Sequence, residues 1–171
     1  MKKLWLFYPL LLIFIFTSCT KDQDSLTDRS IKIAVVPDIH YTHPSLLPDD
    51  IEDSPSLMTY LGLDRKLLEI SDPIFRKVLS ELIAEKPDIL LIPGDLTKDG
   101  ELIGHEVMKS LLQDLENNGI KVFVVPGNND ILNPDAFSFT TEPPVPVENI
   151  TPEQFADIYE NFGYGEALYR D

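Results

Sequence analysis

The sequence predicts an α/β fold, a β-α-β-α-β run of parallel strands with flanking helices, and three observations carry that prediction. Three apolar runs, IKIAVVPDIH (Ile31–His40), DILLIPGD (Asp88–Asp95) and VFVVPGNND (Val122–Asp130), are of strand length and rich in leucine and β-branched residues. Each ends at a proline, with oxygen or imidazole side chains just beyond it. Between the runs, apolar residues recur at helical spacing. Near-continuous apolar strands suit a parallel sheet covered on both faces, joined by right-handed crossovers.

The chain opens on a basic segment, Met1-Lys2-Lys3, followed by the uncharged stretch Leu4–Phe16. That stretch suits the apolar region of a signal peptide and is too short for a comfortable membrane span. Phe16-Thr17-Ser18 then leads to Cys19, the single cysteine of the chain. A lone cysteine forms no internal disulfide. Its place at the end of a leader resembles a bacterial lipoprotein signal: residues 1–18 removed, a lipid on the Cys19 sulfur, and a membrane anchor as the result. The expected location is the cell envelope, at the outer membrane or the surface. Residues 19–30 are polar and aperiodic and read as a tether. Residues 31–171 form the folded part, one domain at most by length.

The first strand spans about Lys32–Val36. A long excursion, His43–Ser71, follows it with Pro44, Pro48 and Pro55 and the acids Asp49, Asp50, Glu52 and Asp53. Loops of that length are commonly functional or disordered; this one either overhangs the strand ends or is a surface insertion away from them. Its second half, Leu61–Ile70, is expected to hold a short helix. A firmer helix should begin with Asp72 as cap and Pro73 at the first helical position. It would place Ile74, Val78, Leu79, Leu82 and Ile83 on one face, and Pro87 would stop it. After the second strand, a helix over Ile103–Asn118 would turn Val107, Met108, Leu111, Leu112 and Leu115 inward and end at Gly119. The third strand follows at once. Beyond a proline-rich turn, Thr151-Pro152-Glu153-Gln154 forms a capping box for a last helix, with Phe155, Ile158, Tyr159 and Phe162 packing it down.

Ligands gather at the carboxyl ends of parallel strands. Asp38, His40, Asp95 and Asn128 therefore converge if the sheet forms, although each alone is an ordinary turn or surface residue. His43 reads as a loop residue and His105 as a helix-face residue, with support of a metal ligand as the other option for either. The net charge of −15 argues against a nucleic-acid-binding surface, because phosphates would repel it. Acidity by itself speaks for solubility rather than for a function.

In order along the chain stand Asp38-Ile39-His40, Gly94-Asp95 and Gly127-Asn128-Asn129-Asp130. This set resembles the D-x-H, G-D and G-N-H-[DE] motifs of the calcineurin-like metallophosphoesterases, and TPEQFADIYENFGYGEALYRD resembles the continuation seen in a bacterial branch of them. The resemblance covers roughly Lys32 to Asp171. It implies the N-terminal half of an αββα metallophosphoesterase sandwich acting on a phosphate-ester substrate, a mono- or diester. It also implies two divalent metal ions: Asp95 bridging, Asp38 and His40 on one ion, Asn128 on the other. Mixed nitrogen and oxygen ligation favours Mn, Fe or Zn. Such a pair activates a shared water and clamps the phosphate oxygens.

The chain departs from that pattern in two places. Asn129 stands where the family carries a histidine that assists the leaving group, so the catalytic part left to Asn129 is a hydrogen bond to a phosphate oxygen. The family's second half also brings further histidines and a second sheet, whereas this chain has three histidines, none beyond His105. The expectation is therefore the front part of a longer enzyme, with a broad apolar sheet face left open. A non-catalytic binding module, or an inactive fragment with an incomplete metal site, is the alternative.

Overall fold

The computed structural model describes residues 30–63 and 66–168. The leader, Cys19 and the tether up to residue 29 lie outside the described residues.

Strands β1 (Ile33–Val35), β2 (Ile89–Pro93) and β3 (Lys121–Val125) form one parallel sheet in the order β1-β2-β3. Ile33 pairs with Ile89, and Leu91 with Phe123. Between the strands run helices α2 (Ser71–Glu85) and α3 (Leu102–Asn117), preceded by α1 (Pro55–Leu63) within the long excursion. Crossovers of one hand, all stepping the same way across the sheet, leave both helices on the same face. Leu90, Ile92, Val122 and Val124 point into that face and are buried with Phe75, Leu79, Met108, Leu112 and Leu115.

The opposite face corrects the reading of a sheet covered on both sides and matches the open apolar face expected from the family resemblance. Side chains alternate along a strand, and here Ile33, Val35 and Val125 are each more than half exposed. Gly163 packs against the ring of Phe123 on the third strand.

Two helix starts also differ from expectation. Helix α2 begins at Ser71 with Ile70 preceding it, so Asp72 lies inside the first turn and does not cap it. Its carboxylate is used elsewhere, as described below. The helix expected within Leu61–Ile70 forms earlier, as α1, and only a 3₁₀ turn occupies Leu68–Ile70. Glu142 explains the shift: it accepts hydrogen bonds from Ser54 Oγ (2.7 Å), Ser56 N (2.9 Å) and Ser56 Oγ (2.6 Å). A carboxylate brought from 86 residues away thus serves the open amides at the start of α1.

Helix α3 ends as read, with Gly119 just past it at φ 85°. The capping box of α4 (Pro152–Ile158) is present, with Thr151 Oγ1 accepting from Gln154 N and Gln154 Oε1 accepting from Thr151 N. The proline-rich span yields a small antiparallel pair, β4 (Phe137–Ser138) with β5 (Val145–Pro146).

Candidate metal centre

The turns that follow β1 and β2 bring Asp38, His40 and Asp95 together, with one ligand-capable atom from each lying within 4.8 Å of the others. All three residues hold positive φ: 52° at Asp38, 46° at His40 and 47° at Asp95. Left-handed backbone costs a non-glycine residue roughly 1–2 kcal/mol, and such strain persists where the surrounding structure enforces it. Here the enforcement is visible. His40 N donates to Asp95 O at 2.9 Å, and Tyr41 N to Leu96 O at 2.9 Å, so the first turn is laced to the second.

These donors suit a divalent cation. His40 Nε2 lies 3.7 Å from Asp95 Oδ2, too long for a hydrogen bond. Two donors each about 2.1 Å from one ion are separated by about 3–4 Å. His40 Nδ1 is buried with no partner among the described residues. One imidazole and two carboxylates form a hard to borderline donor set.

Two glycines permit the approach of the second and third turns. Gly94 adopts φ 93°, and a Cβ there would stand 3.1 Å from Gly127 Cα. A Cβ on Gly127 would collide with the Asp95 carboxylate. Asn129 holds that carboxylate through two donors, its backbone N to Oδ1 and its Nδ2 to Oδ2, both at 3.1 Å. Asn128 is exposed, and its Nδ2 donates to Asn129 Oδ1 at 3.3 Å.

Asp130 is a structural tie that the sequence reading quoted within the motif and gave no role. It is fully buried. Its carboxylate accepts from Leu96 N (3.1 Å), Thr97 N (2.8 Å), Thr97 Oγ1 (3.0 Å) and Gly127 N (2.7 Å). One side chain thereby joins the turns after β2 and β3. Its own carbonyl accepts from His105 Nε2 at 2.9 Å, and His105 Nδ1 meets the Tyr159 hydroxyl at 2.9 Å. Burial lowers the His105 pKa against the opposing pull of Asp130, and burial raises that of Tyr159. Both remain neutral near pH 7. His105 is therefore a core residue joining α3, α4 and the third turn, and His43 accepts from Ser45 N to cap the turn at Pro44–Leu46. The signal in the sequence that would have found Asp130 is its acid type at the end of a Gly-x-x-Asp turn.

A second buried network follows Asp95 directly. Lys98 is fully buried, hydrogen-bonded to Asp99 and 3.0 Å from Glu101 Oε1, an ion pair whose geometry falls short of a hydrogen bond. Its Nζ stands 4.8 Å from the centre of the Tyr60 ring, within cation–π range. The Tyr60 hydroxyl donates to Asp99 Oδ2 at 2.8 Å, tying α1 to the turn that carries Asp95. Buried charges need such pairing. At the other end of the excursion, Tyr41 donates to Asp72 Oδ1 (2.8 Å), and Arg76 holds both oxygens at 3.0 Å. Burial opposes ionisation of Asp72, but the hydrogen bonds from Arg76 and Tyr41 prevail and keep its carboxyl below its ordinary value.

The excursion thus reaches the strand ends. Lys66, Leu67 and Leu68 line a cleft of about 310 Å³ together with Asp38 and His40.

A sequence model described as calcineurin-like phosphoesterase matches residues 31–168. The chain belongs to the calcineurin-like phosphoesterase family. The α/β sheet with its helices agrees with that fold, and the family is metal-dependent, as the Asp38–His40–Asp95 group allows. One relative is a probable cyclic nucleotide phosphodiesterase of Vesicomyosocius okutanii subsp. Calyptogena okutanii (strain HA), 33% identical over 58 residues. That match spans 34% of this chain and 24% of the relative, so the chain covers about a quarter of the relative's length.

Proposed function

We propose that this calcineurin-like protein hydrolyses phosphate mono- or diesters with two divalent ions, Mn, Fe or Zn, bound at the strand ends. The observation that carries the reading is the convergence of Asp38, His40 and Asp95 at enforced left-handed turns. When bound, such ions supply a nucleophile at neutral pH by lowering the pKa of water, and they clamp phosphoryl oxygens. The chain's own residues do the rest. Asp38, His40 and Asp95 hold the ions, and Asn129 orients Asp95 through its two donors. Asn128 gives its amide nitrogen to Asn129, which leaves the amide oxygen as its ligand to the second ion. Asn129 Nδ2 carries two hydrogens; one goes to Asp95 and the other is available to a phosphate oxygen. The relative's name favours a diester.

The decisive assay compares bis(4-nitrophenyl) phosphate with 4-nitrophenyl phosphate, using the full chain after chelation and after Mn²⁺ is restored. The reading expects turnover that needs the metal and disappears in Asp95→Asn. Metal and phosphate binding without turnover would instead favour a binding module, an outcome to which Asn129 lends weight because an amide cannot act as a general acid. We further propose that Cys19 carries a lipid that holds the protein at the bacterial envelope. Labelled palmitate should enter the wild type and not Cys19→Ser; equal labelling would refute the anchor.

A further inference from the structure

We infer that the cleft beside Asp38 and His40 receives an uncharged aryl or alkyl group of the phosphoester, an inference that rests on the phosphoesterase reading. The cleft is lined by two of the three converging ligands, so a group that fills it would lie beside the metal site. Its volume of about 310 Å³ lies at the lower end for small-molecule pockets. Leu67, Ile74, Phe75 and Val78 are among its other lining residues. Leu67 is 57% and Ile74 43% exposed, whereas the next exposed positions of α2, Arg76, Lys77, Ser80 and Glu81, are all polar. Apolar side chains left open at the mouth of a cleft are what a hydrophobic ligand would cover.

The same wall disfavours hydrophilic groups. The Ser71 hydroxyl already donates to Leu68 O and accepts from Thr42 N, both at 2.9 Å. Apart from Lys66 and the metal-site residues Asp38 and His40, the lining offers a sugar or base little to replace its water. A polyphosphate tail would meet one lysine, Lys66, in a chain of net charge −15.

Isothermal titration of the Mn²⁺-saturated full chain with methylphosphonate and with 1-naphthylphosphonate tests this. The naphthyl compound should bind at least about ten-fold more tightly, a difference of about 1.4 kcal/mol. That ratio should collapse toward one in Ile74→Asp and, independently, in Leu67→Asp. Equal affinities in the wild type, or an undiminished ratio in both variants, would overturn the assignment of the cleft while leaving the phosphoesterase reading intact. Failure of both phosphonates to bind would overturn both readings.

Discussion

The turns after β2 and β3 and the turn after β1 contribute to one site but are built differently. The first two are fastened by a side chain: Asp130, fully buried, accepts four hydrogen bonds from Leu96, Thr97 and Gly127. The turn after β1 is joined to the second turn by backbone hydrogen bonds, through His40 N and Tyr41 N, and leaves Asp38 exposed beside an apolar cleft. The difference teaches that the acids of the motifs divide by environment. Asp130 spends its lone pairs on three amides and a hydroxyl, whereas Asp38 is exposed. Asp95 lies between them: each of its oxygens accepts one bond from Asn129 and keeps acceptor capacity for a cation.

The largest effect should come from removing the tie. Asp130→Ala strands several buried donors and should cost about 3–5 kcal/mol, read from the denaturant midpoint; a loss below about 1 kcal/mol would break the contrast between the two regions. Asp95→Asn should lower turnover at least about 100-fold, since even outer partners of metal ligands are worth 10–100-fold. Retained activity would contradict a metal centre that uses Asp95.

A gain is expected from Asn129→His, which restores a proton donor. Turnover should rise at least about ten-fold on alkyl phosphates and less on aryl phosphates, whose leaving groups need no acid. Equal gains on both would contradict that role.

The smallest effect concerns pH. Hydrogen bonds from Ser56 and Ser54 lower the Glu142 pKa. The folded state thereby gains stability that is present above the ordinary glutamate value and is lost as pH falls through the lower folded value. His105, with a pKa lowered by burial, acts in the same direction, because the unfolded chain binds its proton first. The melting temperature should therefore fall as pH drops from 7 to 4, and less steeply in Glu142→Gln. A melting temperature flat in pH would count against both assignments.

Much of the fold was legible in the sequence because its signals are local. The three strands, α3 with Gly119 and the capping box at Thr151 all lie within a few residues of their causes. The start of α1 was not legible, since Glu142 acts on Ser54 and Ser56 across most of the chain. Nor was the role of Asp72, whose partners Tyr41 and Arg76 sit on different elements. At the site, Asp38, His40 and Asp95 could be named because strand ends gather ligands. Asp130, Lys98 and His105 could not be sorted by residue type, since burial and partners decide what a charged side chain does. The open apolar face carrying Ile33 and Val35 was expected from the family resemblance, whereas the strand pattern alone suggested a sheet covered on both sides, because apolar runs do not record where the crossovers lie.

The most direct test of the account is calorimetric titration of Mn²⁺ into the metal-stripped full chain, wild type against His40→Ala. The account predicts saturable binding in the wild type that is weakened at least ten-fold by the substitution. Binding of equal strength in both, or none in the wild type, would contradict a metal centre at Asp38, His40 and Asp95.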